Sequence, residues 1–397
     1  MPGYELFDEA EKRQIDEVME TGILTRYGYA ERRRGRWKVR ELESAIAART
    51  GAKHVLMTAD GTAALTTALV ALGVGAGDEV VIPTFTFVAS FESVLAAGAT
   101  PILADVDESL SLSPDAAREA ITPRTKAILP VHMCGAAAKI DELSNLAKKN
   151  GLLLLEDACQ AFGGTYRGRA LGTIGDAGCY SFDFNKTVTC GEGGAILTNS
   201  DETYKRAEMY HDHGHDHEGE DRGLDGHLFT GYNYRISELH AAIGNAQLAK
   251  ADRFLAIQRE NKKTFKDALS GVPGVEFREL PDPEGDSASF LTFFAPTEAS
   301  ARASAKAATA SGVEGVFYWY DNNWHYVRNW GHLKNRRFAH ALSSDITNAL
   351  PDYLASDYSA SDAVVSRCVS IAMKLGWTKH EAGELAGKTA EALRSAL

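Results

Sequence analysis

A lysine that is followed by glycines is the feature of this sequence most suited to covalent chemistry. Lys186 comes shortly after an apolar run and just before the glycine-rich segment 191–194 (GEGG). A lysine that forms a Schiff base with a carbonyl compound needs partial burial, a depressed pKa and close approach of the ligand, which nearby glycines allow. Most lysines are solvated, so an ordinary surface lysine remains the alternative at this point.

Acidic and amide side chains follow a second apolar run. The strand predicted at Leu152–Leu155 leads into Glu156, Asp157 and, three residues further on, Gln160. Ligands of open α/β sheets bind at the carboxyl ends of the strands, and an acid there can pair with the protonated ring nitrogen of pyridoxal 5'-phosphate (PLP). Gln160 is then placed to contact the phenolic oxygen of the ring. A helix cap or a surface acid is the alternative for the carboxylates.

A phosphate site is predicted where a turn runs directly into an amphipathic helix. Asp60, Gly61 and Thr62 form that turn, and the free N–H groups of a helix start favour a phosphate. Ser181, just before the lysine, adds a hydroxyl donor, and Phe87 offers a ring that could stack on a planar ligand. An ordinary helix start and a core phenylalanine are the alternatives. Taken together in strand order along one sheet, all these residues predict a PLP site.

Short apolar runs alternate with amphipathic stretches from about residue 54 to residue 200, as in strands that are buried on both faces. The alternation predicts an α/β fold: a three-layer αβα domain with a mainly parallel sheet, then a smaller α+β domain. We expect a large cofactor-binding domain over 1–250, whose first residues are able to pack on the small domain over 251–397. The predicted strands are Val80–Ile82, Pro101–Ala104, Ala127–Val131, Leu152–Leu155, Cys179–Phe182, Ala195–Thr198, Phe290–Phe294 and Val313–Tyr318.

The charge balance limits the classes of partner. The 397-residue chain carries 42 Lys and Arg against 54 Asp and Glu, a net charge of −12. Such a field disfavours nucleic acid and anionic membranes as main partners. The run RRRGR at 32–36 is a local exception. It is either a solvated surface segment or an anion contact for a substrate or a neighbouring subunit.

Cysteines and histidines give weaker signals. The five cysteines form neither a disulfide framework nor a CxxC metal pattern, which favours a reducing compartment. We find no charged-then-apolar leader and no apolar run near the ~18 residues of a spanning helix, and so expect a cytoplasmic protein. Alternating histidines from His211 to His217 could bind a metal on one face of a strand. A solvent-facing or substrate-contacting loop is the favoured interpretation, and no metal is predicted.

Five segments carry a family resemblance that covers nearly the whole chain: GTAAL at 61–65, EDA at 156–158, SF at 181–182 with Lys186, GEGG at 191–194 and GYNYR at 231–235. They resemble the DegT/DnrJ/StrS family of sugar aminotransferases, which are fold-type I PLP enzymes. The resemblance implies that Lys186 carries the cofactor and moves the proton of the reaction. It also implies that Asp157 pairs with the pyridine nitrogen and that Gln160 contacts the phenolic oxygen.

The same resemblance implies how the rest of the cofactor is held. Phe87 would stack on the ring, and the phosphate would be held by Gly61, Thr62 and Ser181. A homodimer with shared active sites is implied as well, in which Asn233 reaches the phosphate of the other subunit. Asp60 departs from the family, which usually carries a small or neutral polar residue there. A carboxylate beside a phosphate is unfavourable, so Asp60 is expected to cap the helix or to contact an atypical substrate.

Three further segments resemble one subgroup of that family: MPGYELF at 1–7, DHGHDH at 212–217 and FYWYDNNWHY at 317–326. The subgroup resemblance implies L-glutamate as the amino donor and 8-dehydro-3-deoxy-manno-octulosonate as the acceptor, giving 8-amino-3,8-dideoxy-octulosonate. This acceptor is a free sugar acid. The aromatic, Asn and His segment would suit a small polyhydroxylated ligand, and Arg or His groups its carboxylate.

The sequence therefore predicts a PLP-dependent aminotransferase that acts on a keto- or aldehydo-sugar. A nucleotide-linked 4-keto-6-deoxysugar or an aminocyclitol precursor is the alternative acceptor. The family also has a dehydratase branch in which His replaces the lysine, and Lys186 places this chain outside that branch. Other PLP chemistry, such as dehydration or retro-aldol cleavage, and PLP binding without turnover stay open, because a fold does not determine a reaction.

Overall fold

A computed structural model gives the fold of residues 2–219, 223–224, 226–339, 341–353 and 355–397. Met1, the first residue of one motif named above, lies outside them. Within these ranges, no helix is both long enough and apolar enough to cross a membrane. The strands are β1 (His54–Thr58), β2 (Glu79–Pro83), β3 (Thr100–Ala104), β4 (Thr125–Ile128), β5 (Leu153–Asp157), β6 (Thr165–Tyr166), β7 (Arg169–Ala170), β8 (Ala177–Ser181), β9 (Gly194–Thr198), β10 (Glu276–Phe277), β11 (Phe290–Phe294), β12 (Val316–Tyr318) and β13 (Cys368–Ala372).

Helices connect these strands and cover their faces. They are α1 (Glu9–Met19), α2 (Lys38–Thr50), α3 (Gly61–Ala71), α4 (Ala89–Ala96), α5 (Pro114–Glu119), α6 (Ile140–Asn150), α7 (Asp201–Tyr210), α8 (Glu238–Ala249), α9 (Ala251–Leu269), α10 (Glu298–Ala310), α11 (Gly331–Lys334), α12 (Ser344–Ala349), α13 (Ser359–Val365) and α14 (Lys379–Ala396).

The larger sheet has the strand order β1-β9-β8-β5-β4-β2-β3. Strand β9 is antiparallel to both of its neighbours, and the other pairs in this sheet are parallel. Alternate residues of each strand enter different cores. Leu56 packs in the core that contains α3 and α4, whereas Val55 and Met57 pack in the core that contains α2 and α6. The predicted mainly parallel sheet between two helical layers is therefore confirmed.

A second, smaller sheet has four antiparallel strands in the order β10-β11-β13-β12. One face packs against α9, α10 and α14 through residues such as Phe293 and Ile371. The other face carries Phe290, which packs with Trp319 in the same core as α3. Because this sheet presents an aromatic face toward the larger sheet, it can form one wall of a cavity between them.

Some predicted elements have different bounds. The strand expected at Ala127–Val131 ends at Ile128, since Pro130 has no N–H to continue the ladder, and Val131 makes only an isolated bridge to Asp157. The strand expected at Val313–Tyr318 begins at Val316, after Gly315 with a left-handed φ of 77°. Strand β1 was not among the predicted strands.

The chain from Ser237 to Leu269 forms two helices that meet at Lys250. Ser237 caps the first of them, because its Oγ accepts the N–H of His240 at 3.2 Å. The break at Lys250 turns the chain from the larger sheet toward the four-stranded sheet, against which α9 packs.

The basic run at 32–36 is solvated only in part. Arg33 is buried, pairs with Glu238 at 3.1 Å and lies over the Trp37 ring at 3.9 Å. Arg32 and Arg34 are exposed, and Arg36 pairs with Glu20. The central arginine is therefore a structural ion pair, which the alternatives drawn from charge alone did not include.

The N-terminal segment, residues 2–7, crosses from the lysine loop to the small sheet. The Gly3 N–H donates to the Lys186 carbonyl at 2.9 Å, and the Tyr4 ring stacks on Phe184 with centroids 4.1 Å apart. Oε2 of Glu5 accepts the N–H groups of Leu375 and Gly376, both at 2.8 Å. This segment therefore ties the loop that bears Lys186 to the chain that follows β13.

Candidate active site

A cavity of about 890 Å³ opens where the parallel strands of the larger sheet end. The residues predicted to bind a cofactor line it, with one exception: Gly61, Thr62, Phe87, Asp157, Gln160, Ser181 and Lys186. The exception, Asn233, lies on an exposed segment outside this cavity. The sequence thus predicted most of one continuous site from segments that are far apart in the chain.

The start of α3 forms one end of the cavity. Oδ1 of Asp60 accepts the Ala63 N–H at 2.8 Å, which confirms the expected helix cap. The first N–H groups of a helix have no intrahelical partner, so those of Gly61 and Thr62 are available to an anion. A methyl group on Gly61 would come within 2.9 Å of the Ser181 Cβ. Glycine is therefore needed to bring the helix start and the serine hydroxyl to the same place.

The glycines after Lys186 have a different role from the one expected. We expected them to admit a ligand, but Gly194 lies against the backbone of Asp60, where an added Cβ would meet the carbonyl oxygen at 2.1 Å. Gly191 has a left-handed φ of 85°, which turns the chain into β9. Within the segment 191–194, Glu192 is the residue that lines the cavity. Gly194 thus lets β9 pack against the Asp60–Gly61 turn, and Gly191 forms the turn that leads into β9.

Asp157 lies at the end of β5 and is held by two donors. Ser90 Oγ donates to Oδ2 at 2.8 Å, and the Cys159 N–H donates to Oδ1 at 3.1 Å. The residue is 4% exposed and lines the cavity. A buried carboxylate with fixed oxygens can pair with a protonated ring nitrogen. Ser90, which orients it, had no signal in the sequence, because it lies on a helix that follows a different strand.

Glu156, the neighbouring acid, has a structural role. It is fully buried and accepts from the N–H groups of Gly172, Ile174 and Gly175 as well as contacting His132 Nε2 at 2.9 Å. Burial acts to raise the pKa of the Glu156 carboxyl. The His132 contact and the backbone donors lower it by more than burial raises it, so the pKa lies below its ordinary value. The two adjacent acids therefore point to opposite faces of the sheet, as successive residues of a strand do.

Lys186 is half-buried on the loop between β8 and β9. Its backbone is held from both sides, because its N–H donates to the Asp183 carbonyl and its carbonyl accepts the Gly3 N–H, both at 2.9 Å. The side chain lines the cavity, and its charge acts on His325. The loop thus presents an amine to the same space as Asp157 and the start of α3.

Gln160 and His325 form a hydrogen-bonded pair in the cavity wall. Oε1 of Gln160 accepts the Cys134 N–H at 3.1 Å, which turns its Nε2 toward His325 Nε2 at 3.4 Å. Nδ1 of His325 lies 2.9 Å from the amide oxygen of Asn322, which can only accept, so Nδ1 carries the ring proton. Burial, with the charge of Lys186, lowers the pKa of His325 to about 3. The imidazole is thus neutral with its acceptor nitrogen aimed at Gln160.

Aromatic rings from the small sheet and from the 317–326 segment form the far wall. Phe317 stacks on Trp319 with centroids 4.6 Å apart, and both line the cavity. Trp319 Nε1 donates to Ser370 Oγ at 2.7 Å, which fixes the indole. Phe87, the predicted stacking residue, lies parallel to Trp324 at 5.8 Å. The sequence indicated that this segment suits a polyhydroxylated ligand, but not which of its rings faces the cavity.

The lining that one chain contributes to the cavity does not offer the expected carboxylate-binding groups. We expected arginine or histidine, but the cavity lining within the described ranges contains no arginine, and His325 is neutral. Acidic side chains are present instead near α3. Partial desolvation, with the charges of Asp183 and Asp60, raises the pKa of Glu192.

The histidine-rich segment is a packed turn. His213 and His217 have left-handed φ values of 58° and 57°, so these residues do not form the strand face that a metal site would have required. His211 is buried, with Nε2 3.3 Å from the Tyr27 hydroxyl, and burial lowers its pKa well below the ordinary value. Among the described residues, no group of three or more His, Cys, Asp or Glu could hold a metal ion.

The residues present fit PLP. The close approach of Gly61 to Ser181 leaves a small-residue cradle beside free helix N–H groups, which suits a phosphate. The fixed carboxylate of Asp157 suits a pyridinium nitrogen, and the amine of Lys186 suits an aldehyde. Aromatic side chains complete the cavity wall. Together, the helix N–H groups, the carboxylate and the amine suit the phosphate, ring nitrogen and aldehyde of one organic cofactor.

This fold and this cavity are similar to those of PLP-dependent aminotransferases of fold type I. The chain belongs to the DegT/DnrJ/EryC1/StrS aminotransferase family, whose model matches residues 6–380. Among curated proteins, it is 43% identical over 233 residues to a GDP-perosamine synthase from Caulobacter vibrioides. That match covers 58% of this chain and 61% of the relative's length, so it spans less than two thirds of that protein.

Solved structures match over nearly the whole chain. A 3-amino-5-hydroxybenzoic acid synthase is 30% identical, with a TM-score of 0.81 over 97% of this chain and 96% of that one. DesV from S. venezuelae, solved in complex with a ketimine intermediate, is 27% identical, with a TM-score of 0.78 over 97% and 93%. These likenesses extend across both sheets.

Proposed function

We propose that this chain transfers an amino group from L-glutamate to a keto- or aldehydo-sugar, with PLP as its cofactor. The observation that carries the proposal is the convergence of Lys186, Asp157 and the start of α3 on one cavity. Each of these groups alone has an ordinary structural explanation. An amine, a buried carboxylate and a phosphate-binding helix start in one cavity supply the groups that PLP chemistry needs.

The residues divide the work of the reaction. Gly61, Thr62 and Ser181 would hold the phosphate, Asp157 would keep the ring nitrogen protonated, and Phe87 would lie against the ring. When bound, PLP supplies an electron sink for the bond that breaks at the donor's α-carbon.

Lys186 is the group that moves the proton. Its Nζ would hold PLP at the aldehyde carbon, and the same Nζ would take up the proton that the donor loses at its α-carbon. In the second half-reaction the same Nζ returns a proton to the sugar carbon that receives the nitrogen. Gln160 and neutral His325 offer hydrogen bonds at fixed positions without adding a competing acid. The two half-reactions share one site, so ping-pong kinetics are expected.

For the acceptor, we propose 8-dehydro-3-deoxy-manno-octulosonate. The segments at 1–7 and 317–326 support this choice, because both contribute to the cavity wall through Pro2, Tyr4, Phe317, Trp319 and His325. A nucleotide-linked 4-keto-6-deoxysugar is the second candidate, and the 43% identity to a GDP-perosamine synthase favours it. An aldehyde at the end of a sugar acid and a ketone in a nucleotide-linked ring differ in charge and size, so one experiment can separate them.

Purified protein loaded with PLP should be incubated with L-glutamate and each acceptor in turn, and the products identified by mass. We expect an aminated octulosonate to form in step with 2-oxoglutarate, and a GDP-linked 4-keto-6-deoxysugar to react far more slowly. Lys186→Ala should abolish the reaction, while Lys379→Ala, which removes an exposed lysine, should not. A dehydrated or cleaved sugar without 2-oxoglutarate would replace this proposal by another PLP reaction. If neither L-glutamate nor an acceptor is consumed, the result would indicate PLP binding without turnover.

We also propose that the working unit is a homodimer with shared sites. Asn233 is exposed and is not among the residues that line the cavity of its own chain, and its Oδ1 accepts the Arg235 N–H at 3.3 Å. An ordered amide on an exposed segment is available to the phosphate of a second copy. The family resemblance supports the same role.

A further inference from the structure

Lys374 gives the cavity a positive charge that the chemistry proposed above does not use. Within the described residues, the charged side chains of the lining are four acids and two lysines: Asp60, Asp157, Asp183, Glu192, Lys186 and Lys374. The four acids and Lys186 all follow or end strands of the larger sheet. Lys374 alone comes from the small sheet, two residues after β13.

The surroundings hold the Lys374 side chain in one direction. Its carbonyl accepts the Asn261 Nδ2–H at 2.8 Å, which fixes the backbone. Gly315 faces its stem, and an added Cβ there would lie 3.6 Å from the Lys374 Cε and 3.1 Å from the Ala372 Cβ. Gly315 and Ala372 also line the cavity. Small neighbours therefore leave a channel along which the lysine extends, and its side chain is only 18% exposed.

The ammonium group forms two loose ion pairs. Its Nζ lies 3.4 Å from Glu5 Oε1 and 3.7 Å from Glu314 Oε2, beyond the usual 2.7–3.2 Å of an N–H···O bond. The Glu5 carboxylate is fixed by two backbone N–H groups, which its Oε2 accepts at 2.8 Å, and Glu314 is 84% exposed. A carboxylate that enters the cavity can therefore approach the ammonium more closely than either glutamate does and compete with them for its N–H donors.

We infer that Lys374 is the carboxylate-binding residue of the substrate site, and this inference rests on the proposed function. Both proposed substrates are acids, and a chain of net charge −12 with four acids in the cavity must offer them a local cation. The bound group is a carboxylate, either that of the amino donor or that of a sugar acid. Its position on the small-sheet side leaves Lys186 and Asp157 to the cofactor.

Binding measurements with unreactive acids test this without turnover. The PLP-loaded protein is titrated by calorimetry with glutarate, which lacks the amino group of the donor, and with 3-deoxy-manno-octulosonate, which lacks the carbonyl of the acceptor. We expect Lys374→Gln to lower the affinity for one of the two acids at least ~10-fold, and Lys374→Arg to keep the affinity for that acid within ~3-fold of wild type. The acid that is weakened identifies the source of the carboxylate.

Two controls make the outcome decisive. Lys379→Gln removes a lysine whose side chain is 82% exposed and should leave both affinities unchanged. The methyl ester of the sugar acid should bind wild type and Lys374→Gln alike if the charge is what Lys374 recognises. The inference is overturned if Lys374→Gln binds both acids as wild type does, or if wild type binds neither. Wild-type protein that binds an acid through Lys374 but aminates no sugar would overturn the proposed function alone.

Discussion

At the residue scale, His325 shows how a cavity can contain a histidine without gaining an acid. Its Nδ1 proton is held by Asn322, and its Nε2 is directed at Gln160. Burial and the nearby charge of Lys186 lower its pKa to about 3. Because the neutral ring persists through the physiological range, a change of pH near neutrality alters the charge of other groups and not that of His325.

This depressed pKa has a consequence for stability. The unfolded chain binds a proton at position 325 as the pH falls below the ordinary value of 6.5, whereas the folded protein does not until about pH 3. The contribution of His325 to the free energy of unfolding is thus complete above about pH 6.5 and is lost as the pH falls toward 3. When the pH is lowered from 7.5 to 5, the free energy of unfolding measured with urea should fall by on the order of 1–2 kcal/mol more for wild type than for His325→Gln. His380→Gln, at an exposed site, is the control, and its free energy of unfolding should change with pH as that of wild type does. Equal slopes for wild type and His325→Gln would contradict the depressed pKa.

Gly61 allows a sharper prediction about the phosphate site. Gly61→Ala would place a methyl group 2.9 Å from the Ser181 Cβ and so separate the helix start from the serine. We expect the affinity for PLP, measured by equilibrium dialysis, to fall at least ~10-fold. The matched control is Gly387→Ala on α14, where an added Cβ meets nothing within 4 Å. If Gly61→Ala binds PLP as tightly as this control, the phosphate lies elsewhere.

At the scale of elements, the cavity depends on how α3 begins. Asp60 both caps the helix and places a negative charge at its start, and two substitutions separate the effects. Asp60→Asn keeps an oxygen for the Ala63 N–H, so stability should be retained while PLP binds equally or more tightly. Asp60→Ala should lower the free energy of unfolding by ~1 kcal/mol. Chemical denaturation and PLP titration of the pair provide the test. Weaker PLP binding by Asp60→Asn would show that the charge itself helps the site.

The elements also explain how far the sequence could predict this site. Asp157 and Ser181 were predictable, because each ends a continuous apolar strand and parallel strands end at one edge. The role of Asp60 was predictable from helix capping. Trp319 and Lys374 were not, because they come from a second sheet whose position relative to the first depends on packing and leaves no local pattern. The glycines at 191–194 were interpreted as ligand contacts, because nothing local shows that β9 folds back against β1.

At the scale of the whole molecule, a shared site predicts complementation between two inactive variants. Lys186→Ala lacks the amine, and Asn233→Ala lacks the proposed phosphate contact for its partner. In a mixed dimer, one site would carry both substitutions and the other would carry neither. Unfolding and refolding an equimolar mixture should therefore restore about a quarter of wild-type activity.

Each variant treated alone in the same way is the control for that experiment. If the mixture regains no more activity than the separate proteins, Asn233 does not act across a dimer. A monomer in sedimentation experiments, with full activity, would contradict the shared site in a different way. The Asn233 segment would then have to act within its own chain.

The position of β9 also bears on how the protein is made. Strand β1 pairs with β9, and His54 meets Thr198 about 140 residues later in the chain. Contacts of such long sequence separation form late, because a long loop must be closed before they contribute. Until residue 198 has been synthesised, the helix start at Gly61 and the hydroxyl of Ser181 have no common sheet to bring them together. The cofactor can therefore stabilise only chains that have completed most of the large sheet, so its supply should affect how long folded molecules persist more than how quickly they fold.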